Sequence, residues 1–122
     1  MTPVEISEKI RDHLIAQNAQ ARSKLGACRY RGMDGTSCAL GCLIKDEFYD
    51  AYEMEGGSIT RNSVKIGLIQ SGISFTTGDL TYEMLSQWQM YHDGDYGRWL
   101  SHPDEFPSPE STHERLMEAF GV

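Results

Sequence analysis

At 122 residues the chain has the length of one ordinary domain, residues 1–122, and is too short for two cores of normal size. Its formal charge of −7 opposes nonspecific attachment to nucleic-acid phosphates. No apolar run approaches the ~18 residues of a membrane-spanning helix, and Glu5 and Glu8 stand where a secretory leader would carry basic residues, so a soluble cytosolic protein is expected.

The charge is unevenly spread. Residues 1–78 hold nine acids and nine Lys/Arg, whereas residues 79–122 hold nine acids against Arg98 and Arg115 alone. Such an acidic third suits either a basic surface on a partner or a solvated face that keeps the protein dispersed.

Thr2-Pro3-Val4-Glu5 reads as a helix start: Thr2 as N-cap, Pro3 where its missing N–H costs nothing, and Glu5 closing a capping box. Ile6, Ile10 and Leu14 continue it at helical spacing, and the pattern predicts a helix to about Gln20. Cys28 to Arg31 alternates, and Asp34-Gly35 offers the dipeptide favoured in tight turns, so a short β-hairpin returning through Thr36-Ser37-Cys38 is expected. The small-residue run Ala39–Ile44 fits a buried strand or a short helix. The helix is preferred, since it puts Cys38 and Cys42 on one face and lets residues 45–49 open another helical turn.

Thr60 to Gln70, with Val64, Leu68 and Ile69 at helical spacing and Gly72 as a stop, is the second substantial helix. Leu80, Met84, Leu85, Trp88 and Tyr91 form the best-defined amphipathic stripe, ending at His92-Asp93-Gly94. Pro103, Pro107 and Pro109 predict an irregular connection. Ser108-Pro109-Glu110 then starts a last helix whose apolar edge is Leu116, Met117 and Phe120. The expected fold is a mainly helical α+β domain of about four helices with one small β-hairpin around a single core.

No constellation identifies a chemistry by itself. Cys28, Cys38 and Cys42 could hold zinc with His92 or His13, but nine and three intervening residues match none of the common zinc spacings, and buried free thiols are the simpler reading. A cysteine nucleophile would need a base such as His92 and an orienting group such as Asp93. These types are present, as chance alone would supply them. Glycine-rich phosphate-binding fingerprints are absent, and Asp93-Gly94-Asp95 lacks the later ligands of a calcium loop. No metal, cofactor or catalytic residue is therefore assigned.

Two binding surfaces remain. Asp93, Asp95, Tyr96, Trp99, Asp104, Glu105 and Phe106 put aromatics among acids and form the candidate partner-binding surface. Arg22, Lys24, Arg29 and Arg31 around Tyr30 form a basic cluster suited to a small anionic nucleotide ligand or nucleic acid, or to a charged edge that discourages strand pairing.

Cys28-Arg29-Tyr30-Arg31-Gly32, Asp34-Gly35, Cys38-Ala39-Leu40-Gly41-Cys42-Leu43-Ile44 and Asp46-Glu47-Phe48-Tyr49 together resemble small, mostly uncharacterised bacteriophage and prophage proteins, over roughly the first 55 residues. Lys45 departs from that pattern, in which a proline is expected. The resemblance implies phage origin and brings no catalytic residues with it. A phage-encoded accessory protein that binds and inhibits or modulates a host protein, a bacterial defence enzyme being one candidate, is the leading expectation. A nucleotide or nucleic-acid binder is the alternative, and a thiol or zinc enzyme the third.

Overall fold

The computed structural model describes residues 1–24, 26 and 28–122. Six α-helical segments carry the fold: α1 (Pro3–Gln17), α2 (Ala51–Met54), α3 (Asn62–Gln70), α4 (Leu80–Tyr91), α5 (Gly97–Ser101) and α6 (Pro109–Phe120). No helix among the described residues is long and apolar enough to cross a membrane.

The start of α1 follows the local code. Thr2 Oγ1 accepts from the Glu5 amide at 3.1 Å, and Glu5 Oε1 accepts from the Thr2 amide at 2.9 Å, so two otherwise unsatisfied donors are met reciprocally. The helix stops at Gln17 rather than Gln20, because Asn18 turns left-handed at φ 52° and returns its amide to the Leu14 carbonyl. Ser108 caps α6 by accepting from the Ser111 amide at 3.1 Å, without a reciprocal partner among the described residues, and Pro109 stands in the first turn.

One apolar cluster is shared by all the long helices. Ile6, Ile10 and Leu14 of α1, Val64 and Leu68 of α3, Met84, Leu85, Trp88 and Tyr91 of α4, and Leu116 and Met117 of α6 are buried together with Tyr30, Leu40, Leu43 and Ile44. Each large side chain so buried contributes about 1.5–3 kcal/mol. Leu80 is only half-buried and Ile69 is exposed. Helices α1, α4 and α6 pack mutually, and Ser7 links all three through Trp88 and His113.

The expected β-hairpin is not present, and the α+β assignment is corrected to a helical fold without strands among the described residues. The chain does reverse at Asp34-Gly35, both with positive φ, but only one antiparallel bridge, Arg31 with Ser37, forms there. Gly32 N–H donates to the Thr36 carbonyl and Cys38 N–H to the Tyr30 carbonyl, and the ladder goes no further. The next donors are taken elsewhere. Thr36 N–H closes a 3-10 turn on Met33, while the Tyr30 amide, the next ladder donor, donates to the Glu55 carboxylate at 2.9 Å, and the Arg31 amide, which points away from the return segment, donates to its other oxygen at 3.1 Å. A carboxylate that accepts from two successive amides gives stronger bonds than a neutral carbonyl, and it ends the pairing.

Residues 39–49 form single turns, not the expected short helix. Cys42 N–H reaches the Cys38 carbonyl, after which 3-10 turns at Gly41–Leu43 and Asp46–Phe48 lead on. A Cβ at Gly41 would lie 2.0 Å from the Tyr30 carbonyl oxygen, so this turn docks on the Tyr30 backbone through a contact that only glycine permits.

Helix α4 does not end at His92-Asp93-Gly94 as its sequence suggests. It widens into a π turn over His92–Tyr96 and continues as α5. The Gln20 side-chain amide donates to the His92 carbonyl at 2.7 Å. It reaches in because Gly97 has no side chain: a Cβ there would meet Gln20 atoms at 2.6 Å. The turn is thus tied to the residue 18–22 segment.

Candidate functional site

The π turn, the Cys28–Tyr30 segment and the Glu55–Thr60 turn face one another across a cleft of about 500 Å³, within the range of small-ligand pockets. From α4 and its extension come Tyr82, Ser86, Gln89, Met90 and Asp93. Tyr82, Ser86, Gln89 and Asp93 fall at i, i+4, i+7 and i+11, so they share one helix face. Leu40 and Ile59 supply apolar surface, and Tyr30, Gly56, Gly57 and Ser58 form the opposite wall.

Glu55 organises that wall. Its carboxylate accepts from the Tyr30 and Arg31 amides and from the Tyr49 hydroxyl, and it lies 3.6 Å from Arg29 Nε. The Tyr30 hydroxyl donates to the Gly57 carbonyl and so closes the turn onto the segment. Burial, together with the Glu55 contact, pushes the Tyr49 phenol up to about 12, which keeps it a donor.

Cys28, His92 and Asp93 converge on the near side of this cleft, with potential ligand atoms within 4.8 Å of one another. Their order decides what they can do. The Ala21 amide donates to His92 Nε2 at 3.3 Å, so the ring proton sits on Nδ1, which lies 2.9 Å from Asp93 Oδ1. The sequence runs imidazole, carboxylate, thiol. A nucleophile needs the imidazole between the other two.

The thiol is moreover pushed above its ordinary pKa, first by burial and then by the Asp93 carboxylate, with Arg22 offsetting in part. A thiol held protonated beside a carboxylate is neither an activated nucleophile nor a ready metal ligand. His92 Nδ1 carries the proton that a metal would have to replace, and moving it to Nε2 would set two donors, N–H against N–H, at Ala21. The trio fits a hydrogen-bonded seam better than a zinc site. Cys38 and Cys42 belong to other contacts: Cys38 Sγ accepts from the Gly41 amide, and the Cys42 thiol faces the Ala39 carbonyl at 3.1 Å.

The predicted basic cluster does not present free guanidinium groups. Arg22 donates to Gln20 and to the Gly26 carbonyl. Arg29 pairs with Glu55. Arg31 holds Asp46 and the Ile44 carbonyl at 2.6 Å each and lies 4.7 Å over the Tyr49 ring. Tyr30 is buried, and Lys24 is exposed.

The predicted acidic surface is divided. Tyr96 is 0% exposed. It donates its hydroxyl to the Leu14 carbonyl at 2.7 Å and stacks between His92 and Trp99, so it leaves the candidate docking set and joins the core. Trp99 and Phe106 are half-buried, and Asp95 pairs with Arg98 at 3.0 Å. Asp104 and Glu105 are exposed. Asp93 is turned into the cleft.

Sequence reasoning missed the cleft wall, Glu55, Tyr82, Ser86, Gln89 and Met90, and also Glu110, Glu114 and Glu118 along α6. The last three were legible as exposed carboxylates at i, i+4 and i+8. The polar stripe of α4 was legible too, but periodicity does not distinguish a wetted cleft from open solvent. No protein-family model matches the chain, and neither a curated protein nor a solved structure matches it.

Proposed function

We propose that this is a phage-encoded accessory protein that binds a host protein in the bacterial cytosol and inhibits or modulates it through an acidic face. One observation carries the reading. Asp104, Glu105, Glu110, Glu114 and Glu118 are all exposed, and among the described residues none of them is in an ion pair with Lys or Arg. Arg11, Arg29, Arg31 and Arg98, by contrast, each pair with a carboxylate of the same chain.

Like charges one helical turn apart on α6 repel by a few tenths of a kcal/mol each. Complementary charge on a partner reverses that cost and accelerates encounter. The nucleotide-binding alternative loses support because its arginines are engaged internally, and the thiol-enzyme reading because the thiol is adjacent to a carboxylate rather than a base.

Capture from lysate of a bacterial host tests the reading. The wild-type chain is expected to retain one stoichiometric host protein, with retention falling as salt rises. A variant with Glu110, Glu114 and Glu118 changed to Lys should lose it while keeping its helical circular dichroism. Equal retention by both chains, or no specific partner, overturns the reading.

A further inference from the structure

Resting on the binding role just proposed, we infer that the cleft beside α4 receives a single arginine side chain of the protein partner, with Asp93 as its counter-charge. The carboxylate is held in place before anything binds. His92 Nδ1–H and the Gln89 side-chain amide donate to Asp93 Oδ1 at 2.9 and 3.0 Å, both to the same oxygen, and the side chain remains 46% exposed.

Among the described residues no Lys or Arg lies within ion-pair distance of Asp93. Arg22, in the adjoining hollow, is held by Gln20 and Gly26. The cleft wall itself has one Arg and two acids. Arg29 and Glu55 offset each other at 3.6 Å, which leaves one negative charge, that of Asp93. A monocation completes the cleft.

The remaining lining selects the kind of cation. Tyr82, Leu40, Ile59 and the exposed thioether of Met90 suit an aliphatic stem and a weakly hydrated planar head. A guanidinium presents several donors in a fixed fork, and the lining also offers the Ser86 hydroxyl, two turns before Asp93 on the same helix face. An ammonium is more strongly hydrated and loses more on entering an apolar-walled cleft.

Titration of the isotope-labelled full chain by proton–nitrogen NMR tests this with capped amino acids. N-acetyl-arginine amide is expected to give saturable shifts at the Gln89, Asp93 and Gly57–Thr60 amides. N-acetyl-citrulline amide, the same shape without charge, should bind at least about tenfold more weakly, and N-acetyl-lysine amide should lie between them.

Asp93→Asn should reduce the arginine shifts by a similar factor in a chain whose other amide positions are unchanged. Citrulline binding equal to arginine binding, shifts mapping outside the cleft, or no saturable shift at about 10 mM ligand overturns the inference without requiring any variant to fold. Free arginine binding far more tightly than the capped form would identify a small-molecule ligand instead of a partner side chain, and would also overturn it. The Glu110/Glu114/Glu118→Lys chain should titrate as wild type, so loss of host-protein capture with intact arginine binding separates failure of the acidic-face reading from failure of this one.

Discussion

The Ser7 hydroxyl accepts from Trp88 Nε1–H at 2.9 Å and lies 2.7 Å from His113 Nδ1. The indole can only donate, so Ser7 accepts there, and its own proton is left available to His113 Nδ1. Ser7→Ala leaves a buried indole N–H unmet and is expected to cost about 1–3 kcal/mol. Urea unfolding checks this, and a change under ~0.5 kcal/mol would show the hydroxyl to be dispensable.

His113 also carries a pH dependence. Burial first, then Arg11, lowers the His113 pKa against the opposing pull of Glu8, Glu114 and Asp12. Burial likewise lowers His13, whose Nε2 lies 2.9 Å from the Ser37 carbonyl. The folded state disfavours the protonated rings, so the unfolded chain binds more protons once pH falls below the ordinary histidine value of about 6.5. The stability from these groups is present above that value and is lost as pH drops through the lowered folded values. The melting temperature should decline from about pH 7 to pH 5, and less steeply in His113→Gln. Identical slopes in the two chains would remove His113 as a cause.

At the scale of elements, the turns that replace the expected hairpin and short helix are held by close backbone approach. Gly41→Ala has no conformational penalty to meet, since Gly41 does not use positive φ. Its Cβ would nevertheless sit 2.0 Å from the Tyr30 carbonyl oxygen and 2.8 Å from the carbonyl carbon. Backbone cannot rotate away as a side-chain tip can. The substitution is expected to destabilise by about 2 kcal/mol or more, whereas a glycine at an ordinary helical site would gain up to ~1 kcal/mol from the same change. Thermal melts of Gly41→Ala and wild type decide the sign. The displacement should also perturb the cleft, because Tyr30 carries the hydroxyl that closes the Gly57 wall.

Across the molecule the net charge of −7 acts as a distributed repulsion, concentrated in the last third, where Asp104, Glu105, Glu110, Glu114 and Glu118 are exposed and, among the described residues, in no ion pair. Added salt screens such repulsion over a Debye length of ~10 Å at 0.1 M and ~3 Å at 1 M. Sodium chloride should therefore raise the melting temperature between low salt and about 0.5 M. The rise should be larger than in the Glu110/Glu114/Glu118→Lys chain, in which the strip changes sign against the surrounding acids. A melting temperature that falls with salt would mean that the paired arginines, not the unpaired acids, dominate the surface energetics.

The helices were legible because their signals are local. Thr2, Pro3 and Glu5 start α1, Ser108 and Pro109 start α6, and the stripes of α3 and α4 repeat at helical spacing, so each element's identity follows from residues within a turn or two. The acidic asymmetry is likewise a property of sequence alone. Only the tertiary structure decided that Cys28 to Cys38 forms no strand pair, that α4 passes through a π turn into α5, and that Cys28, His92 and Asp93 meet. In the first case Glu55 takes the Tyr30 amide from 25 residues away. In the second, Gln20 takes the His92 carbonyl across 72 residues. The reason is physical: backbone donors and acceptors must be satisfied, and when the competing partner arrives from a distant segment, nothing in the local pattern records the competition.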